Sequence, residues 1–566
     1  LTDADDNALA VSAHGSGNIY LDAGISASSP SNIAIEAAAS VQTTTGAILI
    51  LARNGTYTQG AAAHLIVTDS PSATTGTILV QSSGSITMDA SATMQTAAAN
   101  IGVYAMSGDL TLGVIDARTN ADRLAATLVD QSVWGQVMVQ AVGGAILDAK
   151  TDGAATDVNV YAKAARFSAA TAVGVLGAGV DNAIETEVIT VAANTTAGSG
   201  GVNLRDLTDV TVGSVGVIGY VNLFWEGTSG SVSDTDTQAD LISTANGSIV
   251  LRSVSGSITL TDGDTNGVAV SANGSGNIRL EAGGATSDIL VQAKVTSGSG
   301  NISLRAGHSV TQSNVGTGVA DIVVTANPGS IDVEAVTGSI TMDATRRAQT
   351  DGGNIRYAAG TDVTVGVLDA RTAADRLGGT LAGQANATNP WGNVSILAGT
   401  DGASPAGSIL DAKADADATA TQNIFANQLR LHAATRIGNL AVDGALDALE
   451  TEVATLTAFA AAGGISVRDD TDVTVDTVSV AVQRVQADGT AQDQVDAAQA
   501  DLVTAGADGS ISLTTRDGSL TINDGPDALA GGLDSVGVSA NGAGNIYLSA
   551  EGAGHDLVLG ANAAVR

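Results

Sequence analysis

Residues 1–24 read LTDADDNALAVSAHGSGNIYLDAG and residues 260–283 read LTDGDTNGVAVSANGSGNIRLEAG, with 17 of the 24 positions identical. A match of this length within one chain is the signature of a tandem architecture, in which neighbouring copies bury a face that one copy alone leaves open. The match continues down the chain. Gly84–Ala90 and Gly338–Ala344 both read GSITMDA, and LGVIDARTNADRL (Leu112–Leu124) lies over VGVLDARTAADRL (Val365–Leu377). Ala145–Lys150 lies over Ser408–Lys413, Ile184–Val188 over Leu449–Val453, and Arg205–Val212 over Arg468–Val475. A third copy opens near Ile522. The expected organisation is 1–259, 260–521 and 522–566, two complete units of about 260 residues and the start of a third, as in a piece of a longer array.

Within a unit the texture is short alternating segments such as NIYLDA (18–23), AILILA (47–52), NIRLEA (277–282) and NISLRA (301–306). Apolar and polar residues at period two mark half-buried strands. The anchors Ile19, Ile33, Ile48, Leu65, Ile78, Ile86, Ile101 and Leu110 fit successive sides of a solenoid coil or successive strands of tandem sandwiches. Sandwich domains would repeat near ~100 residues around large core aromatics. This chain repeats far more slowly, with 3 Trp, 7 Tyr and 4 Phe among 566 residues. The solenoid is therefore expected, with coils of roughly 20–28 residues. The phrase G-x-G-N-I-x-L suits a coil corner in which Gly or Asn takes a positive φ, the place held by Asn18, Asn277 and Asn545. Ile19, Ile278 and Ile546 then point inward.

Composition narrows the function. With 58 Asp+Glu against 23 Lys+Arg the formal charge is -35, which repels phosphate backbones and anionic headgroups. Nucleic acid is not an expected partner, and with no apolar run near ~18 residues neither is direct membrane insertion. The absence of cysteine excludes disulfides, Cys-zinc sites and cysteine nucleophiles. A mean hydropathy of +0.22 argues against disorder in spite of the charge.

The phrases GSGNIYLDAG, GSGNISLRAG, GSITMDA and TDVTVG resemble the repeats of filamentous-haemagglutinin-like large exoproteins, the giant secreted adhesins of Gram-negative bacteria. The resemblance implies a right-handed parallel β-helix, export to the bacterial surface or beyond, and adhesive or coat work done by repetition. It carries no catalytic residue.

Four constellations are candidates for local chemistry. Asp262, Asp264 and Asn266 meet the D-x-[DN]-x-[DN]-G opening of a calcium loop, and Asp3, Asp5 and Asn7 repeat it. Position twelve is Asn273 rather than the bidentate Glu of a full loop, and the same residues are ordinary turn formers. Asp234, Asp236 and Asp240 form a second, weaker acidic cluster. The phrase DARTxADRL reads as an excursion from the strands, held by Arg118–Asp122 and Arg371–Asp375 pairs at i,i+4. It is either a loop tied down by its own charges or a docking knob anchored by Trp134 and Trp391. Glu185 and Glu187 recur as Glu450 and Glu452, and read as exposed acidic strands rather than an acid–base pair. None of the five histidines recurs between copies.

The expected function is a structural or adhesive segment of a large secreted bacterial surface protein, forming an elongated rod or filament. It is not expected to be an enzyme, and no catalytic residue is assigned. Calcium is the one cofactor suggested. The expected partners are neighbouring repeats, lateral copies and a surface ligand of unknown identity. The alternatives are a lyase or hydrolase acting on polysaccharides from the same fold, and a tandem β-sandwich adhesin dependent on calcium.

Overall fold

The computed structural model describes every residue except 4–7, 25–30, 126–129, 151–156, 224–227, 234–235, 316–317, 379–390, 401–405, 414–421, 441–446, 526–534 and 562. The protein is nearly all β, 51% strand against 3% helix, and its strands join a large parallel sheet. Two compact units divide it: Leu1–Gly276 with Ala487–Thr490, and Asn277–Gln486 with Ala491–Arg566.

In the first unit the early strands pair in parallel with the strand three places further on, and the step changes to two and then four places beyond Gln136–Ala141, so that three ladders advance together. One runs through Ile19–Ala23, Ile48–Ala52, Ile78–Ser82, Ile101–Ala105, Gln136–Ala141 and Val160–Ala169 to Ile184–Thr195. A second runs through Ile33–Ile35, Tyr57–Gln59, Ile86–Met88, Leu110–Leu112 and Ile146–Asp148. The third joins Leu9–Ala13, Ser40–Thr43, His64–Val67, Thr93–Gln95 and Val114–Asp116. The second unit repeats the plan from Ile278–Ala282 through Ile302–Ala306, Ile331–Ala335, Ile355–Ala359, Val394–Ala398 and Ile424–Ala433 to Leu449–Ala460.

Register is what makes the core. Ile48 sits opposite Ile78, Ile78 opposite Ile101, and Ile101 opposite Val137. The corresponding stack in the second unit is Ile302, Ile331, Ile355, Val394 and Leu429. All of these are at most 1% exposed. A one-residue slip would turn each column outward, so the alternation fixes the register. Each fully buried aliphatic contributes about 1.5–3 kcal/mol relative to exposure, with little aromatic area needed. The steps between paired strands are unequal, and the long step from Ile101 to Val137 holds a helical excursion.

Two expectations are corrected. Asn18, Asn277 and Asn545 are not among the positive-φ residues; Gly15, Gly274 and Gly542, three positions earlier, take that conformation at φ 63°, 58° and 61°. The Asn side chains instead span to the next strand: Asn18 Oδ1 accepts from the Ala47 amide at 2.8 Å and Asn277 Oδ1 from the Asn301 amide at 2.8 Å. Ile19 and Ile278 are buried, at 4% and 0% exposure, but Ile546 is only half-buried.

The alternation also fails where the outward face is covered. In Ile302–Ala306, Ile331–Ala335 and Ile48–Ala52 the second residue is buried along with the first and third. The cover is an antiparallel hairpin in each unit, Gly219–Leu223 with Ser229–Ser233 in the first and Val478–Val485 with Ala491–Gln499 in the second.

Candidate functional sites

The acidic turn of the second copy bonds to itself. Asp264 Oδ1 accepts from the Asn266 amide at 3.1 Å and Asn266 Oδ1 from the Val268 amide at 2.6 Å, two successive Asx turns. Asp240, expected to belong to a separate cluster, lies alongside. Its Oδ1 accepts from the Gly263 amide at 3.3 Å, and its backbone is left-handed at φ 67°. Burial, then the charges of Asp264 and Asp262, push the Asp240 carboxyl up to about 7. Asp501 takes the same conformation at φ 67° and accepts from the Gly525 amide at 3.4 Å. Among the described residues no three His, Cys, Asp or Glu side chains are grouped so as to hold a metal ion. In the first copy Asp3 Oδ2 accepts from the Ala8 amide at 2.8 Å, whereas Asp5 and Asn7 lie outside the described residues, as does Asp234.

The DARTxADRL excursion is a short helix, Asn120–Leu124 in the first unit and Ala373–Gly378 in the second. Thr119 caps the first, accepting from the Asp122 amide at 3.0 Å. The expected Arg118–Asp122 and Arg371–Asp375 pairs do not form. Arg118 and Arg123 both bind Asp116, at 2.7 and 2.9 Å. Arg371 and Arg376 both bind Asp369, at 2.8 and 3.0 Å. Asp116 and Asp369 end strands and are 4% and 0% exposed, so each needs cationic partners at once. Asp122 and Asp375 are engaged elsewhere: each accepts from a tryptophan Nε1 at 2.7 Å. Trp134 and Trp391 are 2% exposed, which removes them as docking anchors. Leu124 and Leu377, at the ends of these helices, are exposed apolar side chains, at 88% and 91%.

The recurring glutamates are buried, not exposed. Glu185, Glu187, Glu450 and Glu452 are 3%, 3%, 6% and 4% exposed. The alternation had placed them on an outward face, but the excursion covers that face: Gln131 Nε2 reaches Glu187 Oε1 at 3.2 Å. The Arg118 guanidinium lies 3.7 Å from the Tyr161 ring centroid and that of Arg371 3.6 Å from Phe425. Burial raises Glu187 above the usual carboxylate range and pushes Glu452 up to about 7, with Arg371 opposing the latter.

Asp206 and Asp469, singled out by no motif, are fully buried between the same strands. Asp206 Oδ2 accepts from the Thr186 hydroxyl at 2.7 Å and the Val188 amide at 3.1 Å. Asp469 Oδ2 accepts from Thr451 at 2.6 Å and Val453 at 3.0 Å. Burial pushes both carboxyls up to about 8 against these bonds. The sequence signal was present: both lie in the RDxTDVTV match, at the second position.

The hairpins were not anticipated, yet their seats recur. Asn100 Nδ2 donates to Gly219 O at 2.9 Å and Asn354 Nδ2 to Ala481 O at 2.7 Å. The Val221 amide donates to Thr77 Oγ1, and the Gln483 amide to Ser330 Oγ, both at 2.9 Å. Gln238 Nε2 donates to Phe167 O at 2.8 Å and Gln499 Nε2 to Leu431 O at 2.9 Å. Beside the first hairpin a cleft of about 140 Å³ is lined by Gln140, Arg166, Ser168 and Asn194 among others. At the corresponding strand positions of the second unit, the His432 and Phe459 rings stack at 4.8 Å.

Searches for similar proteins found no match among family models, curated proteins or solved structures.

Proposed function

We propose that the chain is a length of right-handed parallel β-helix serving as a structural or adhesive segment of a secreted bacterial surface protein. The observation that carries the reading is the triple parallel ladder, in which successive strands of one ladder are separated by strands of the other two through most of each unit. A chain that returns to the same ladder once per turn is coiling, and parallel crossovers are right-handed in nearly all proteins. What the repeat duplicates is construction: inward aliphatic columns, Asn spans between strands, buried Asp clamps and a seated hairpin. The recurring carboxylates hold the chain's own arginines, threonines and amides, which supports a scaffolding role over turnover. Display on a cell surface suits a stable, acidic, cysteine-free coil.

The test is labelling of intact producing cells with an antibody raised against this chain. Labelling of unpermeabilised cells that external protease removes is expected. Labelling only after permeabilisation would overturn the surface reading. Incubation with neutral and acidic glycans should release no product; turnover lost in Glu187→Gln or Glu452→Gln would instead favour an enzyme on the same fold.

A further inference from the structure

Lys150 and Lys413 are two of only four lysines in the chain. Each follows by two residues an aspartate that ends a parallel strand, Ile146–Asp148 or Ile409–Asp411. The Asp148 carboxylate accepts from the Lys150 backbone amide at 2.8 Å and from the Asn159 side-chain amide. Asp411 holds the Lys413 amide at 2.8 Å and the Asn423 side chain in the same way.

Both asparagines are 0% exposed and held from several sides. Asn159 Nδ2 also donates to Gly113 O and Asn423 Nδ2 to Gly366 O, each at 3.2 Å. Their Oδ1 atoms accept from the amides of Glu185 at 2.9 Å and Glu450 at 3.0 Å. The lysine Nζ donates to the carbonyl of the residue immediately before the asparagine, Val158 at 2.8 Å in one unit and Gln422 in the other. Burial lowers the proton affinity of both lysines, opposed by Asp148, Asp157 and Glu185 in the first unit and by Asp411 and Glu450 in the second. Burial likewise raises Asp411, which shares a hydrogen bond with Glu450. The residues between lysine and asparagine differ, TDGAATDV against ADADATATQ, in length as well as identity. The four side chains keep their mutual places regardless.

We propose that each unit forms its own lysine–asparagine isopeptide cross-link, Lys150 to Asn159 and Lys413 to Asn423. Asp148 and Asp411 are the catalytic acid–base groups, and the Glu185 and Glu450 backbone amides position the asparagines through Oδ1. The neutral Nζ amine attacks Cγ of the asparagine, forming a C–N bond. The aspartate takes a proton from Nζ and delivers one to Nδ2, to which it is already bonded. The Cγ–Nδ2 bond breaks and ammonia leaves. One amine and one primary amide become one secondary amide and ammonia, with no oxidant, metal or nucleotide consumed. The asparagine is fully buried and the lysine half-buried, which favours the neutral amine and limits the access of water to Cγ. The product closes a loop between two ladders, restricting the unfolded chain as a disulfide would in a protein that has no cysteine.

Intact-mass measurement of the denatured full chain decides the matter. The expected mass is that of the sequence less two molecules of ammonia, with trypsin failing to cut after Lys150 and Lys413 and releasing each lysine and its asparagine in one internally looped peptide, lighter than its sequence by one ammonia. Lys150→Arg keeps the charge but cannot form the amide, and should regain one ammonia's mass; Lys150→Arg with Lys413→Arg should regain both. An Asp148→Asn chain that still loses both ammonias would overturn the role given to Asp148. The full sequence mass in the unmutated folded protein, with trypsin cutting after both lysines, would overturn the cross-link and leave the lysines as counter-ions.

Discussion

The two hairpin-covered faces share one set of seats and differ in what fills the space between them. In the first unit the filling is apolar: Ile218, Tyr220 and Leu223 pack on Leu49, Leu79, Met138, Ala164 and Ala192. In the second, alongside the buried Val480 and Val482 of the hairpin, it is ionic. Arg356 binds Asp332 and Asp496, each at 3.0 Å, and Arg484 binds Asp332 at 2.6 Å and Glu334. The matched positions are direct exchanges: Gly102 in NIGVY stands where Arg356 stands in NIRYA, and Leu79 where Asp332 does. Glycine at 102 leaves room for the Tyr220 ring, since a Cβ there would come within 2.8 Å of Tyr220 Cζ and 2.9 Å of Leu79 Cδ1. The lesson is that backbone seats specify where a cover docks, while the filling is open to wholesale replacement so long as it changes on both sides together.

The largest effect should come from breaking the ionic filling on one side. Arg356→Ala leaves Asp332 and Asp496 facing each other at 2% and 5% side-chain exposure. A loss of about 3–5 kcal/mol is expected, as for removal of one partner of a buried pair. Hydrogen exchange in Ile355–Ala359 should accelerate accordingly. Unchanged protection there would mean that the pairs add nothing to the seats.

A second prediction concerns what the units share. Asp206 and Asp469 have carboxyls raised to about 8 in the folded state, so the folded protein holds protons that the unfolded chain has released. Their contribution is present in full below the unfolded value near ~3.9 and is lost as pH rises towards about 8. The melting temperature should therefore fall by several degrees between mildly acid and mildly alkaline buffer at fixed salt. Asp206→Asn with Asp469→Asn should flatten that slope; an undiminished slope would assign it to the overall charge.

Smaller effects probe the apolar filling. Gly102→Ala should cost about 1–3 kcal/mol through overpacking against Tyr220, read from the urea midpoint. A neutral result would show that the first hairpin sits loosely. Smallest of all, Tyr220→Phe removes a buried hydroxyl that has no hydrogen-bond partner. It should leave stability unchanged or slightly higher, because nothing is unpaired by the change.

Much of the fold was legible because parallel stacking writes itself into the chain as aligned phrases: the Ile48, Ile78 and Ile101 column is visible as soon as the strands are. The covered faces were not. A period-two pattern distinguishes one face from the other but does not say whether the second face meets water or protein, so Glu185 and Glu187 read as exposed. The hairpin strand Val478–Val485 alternates like any other, and its seat on Ser303 lies 182 residues upstream. The tryptophans misled for a related reason: an indole beside an acidic helix looks free until Asp122 and Asp375 are seen to hold it. The lysine–asparagine clusters left a trace only in the matched DAK and ETEV phrases, because the asparagine lies beyond a divergent stretch.

The long reach of the hairpins gives the growing chain a timetable. Val221 meets Thr77 across 144 residues, whereas the ladders close between strands roughly one turn apart. At synthesis rates of roughly 5–20 residues per second, that separation leaves the outward face of the early strands bare for on the order of ten seconds. The two units wait differently. The first waits with leucine and methionine uncovered, a surface that invites a chaperone or a neighbouring nascent chain, while the second waits with aspartate and arginine, which water solvates until the cover arrives. The choice of filling, nearly interchangeable in the finished fold, is then a choice about how each unit survives its own assembly.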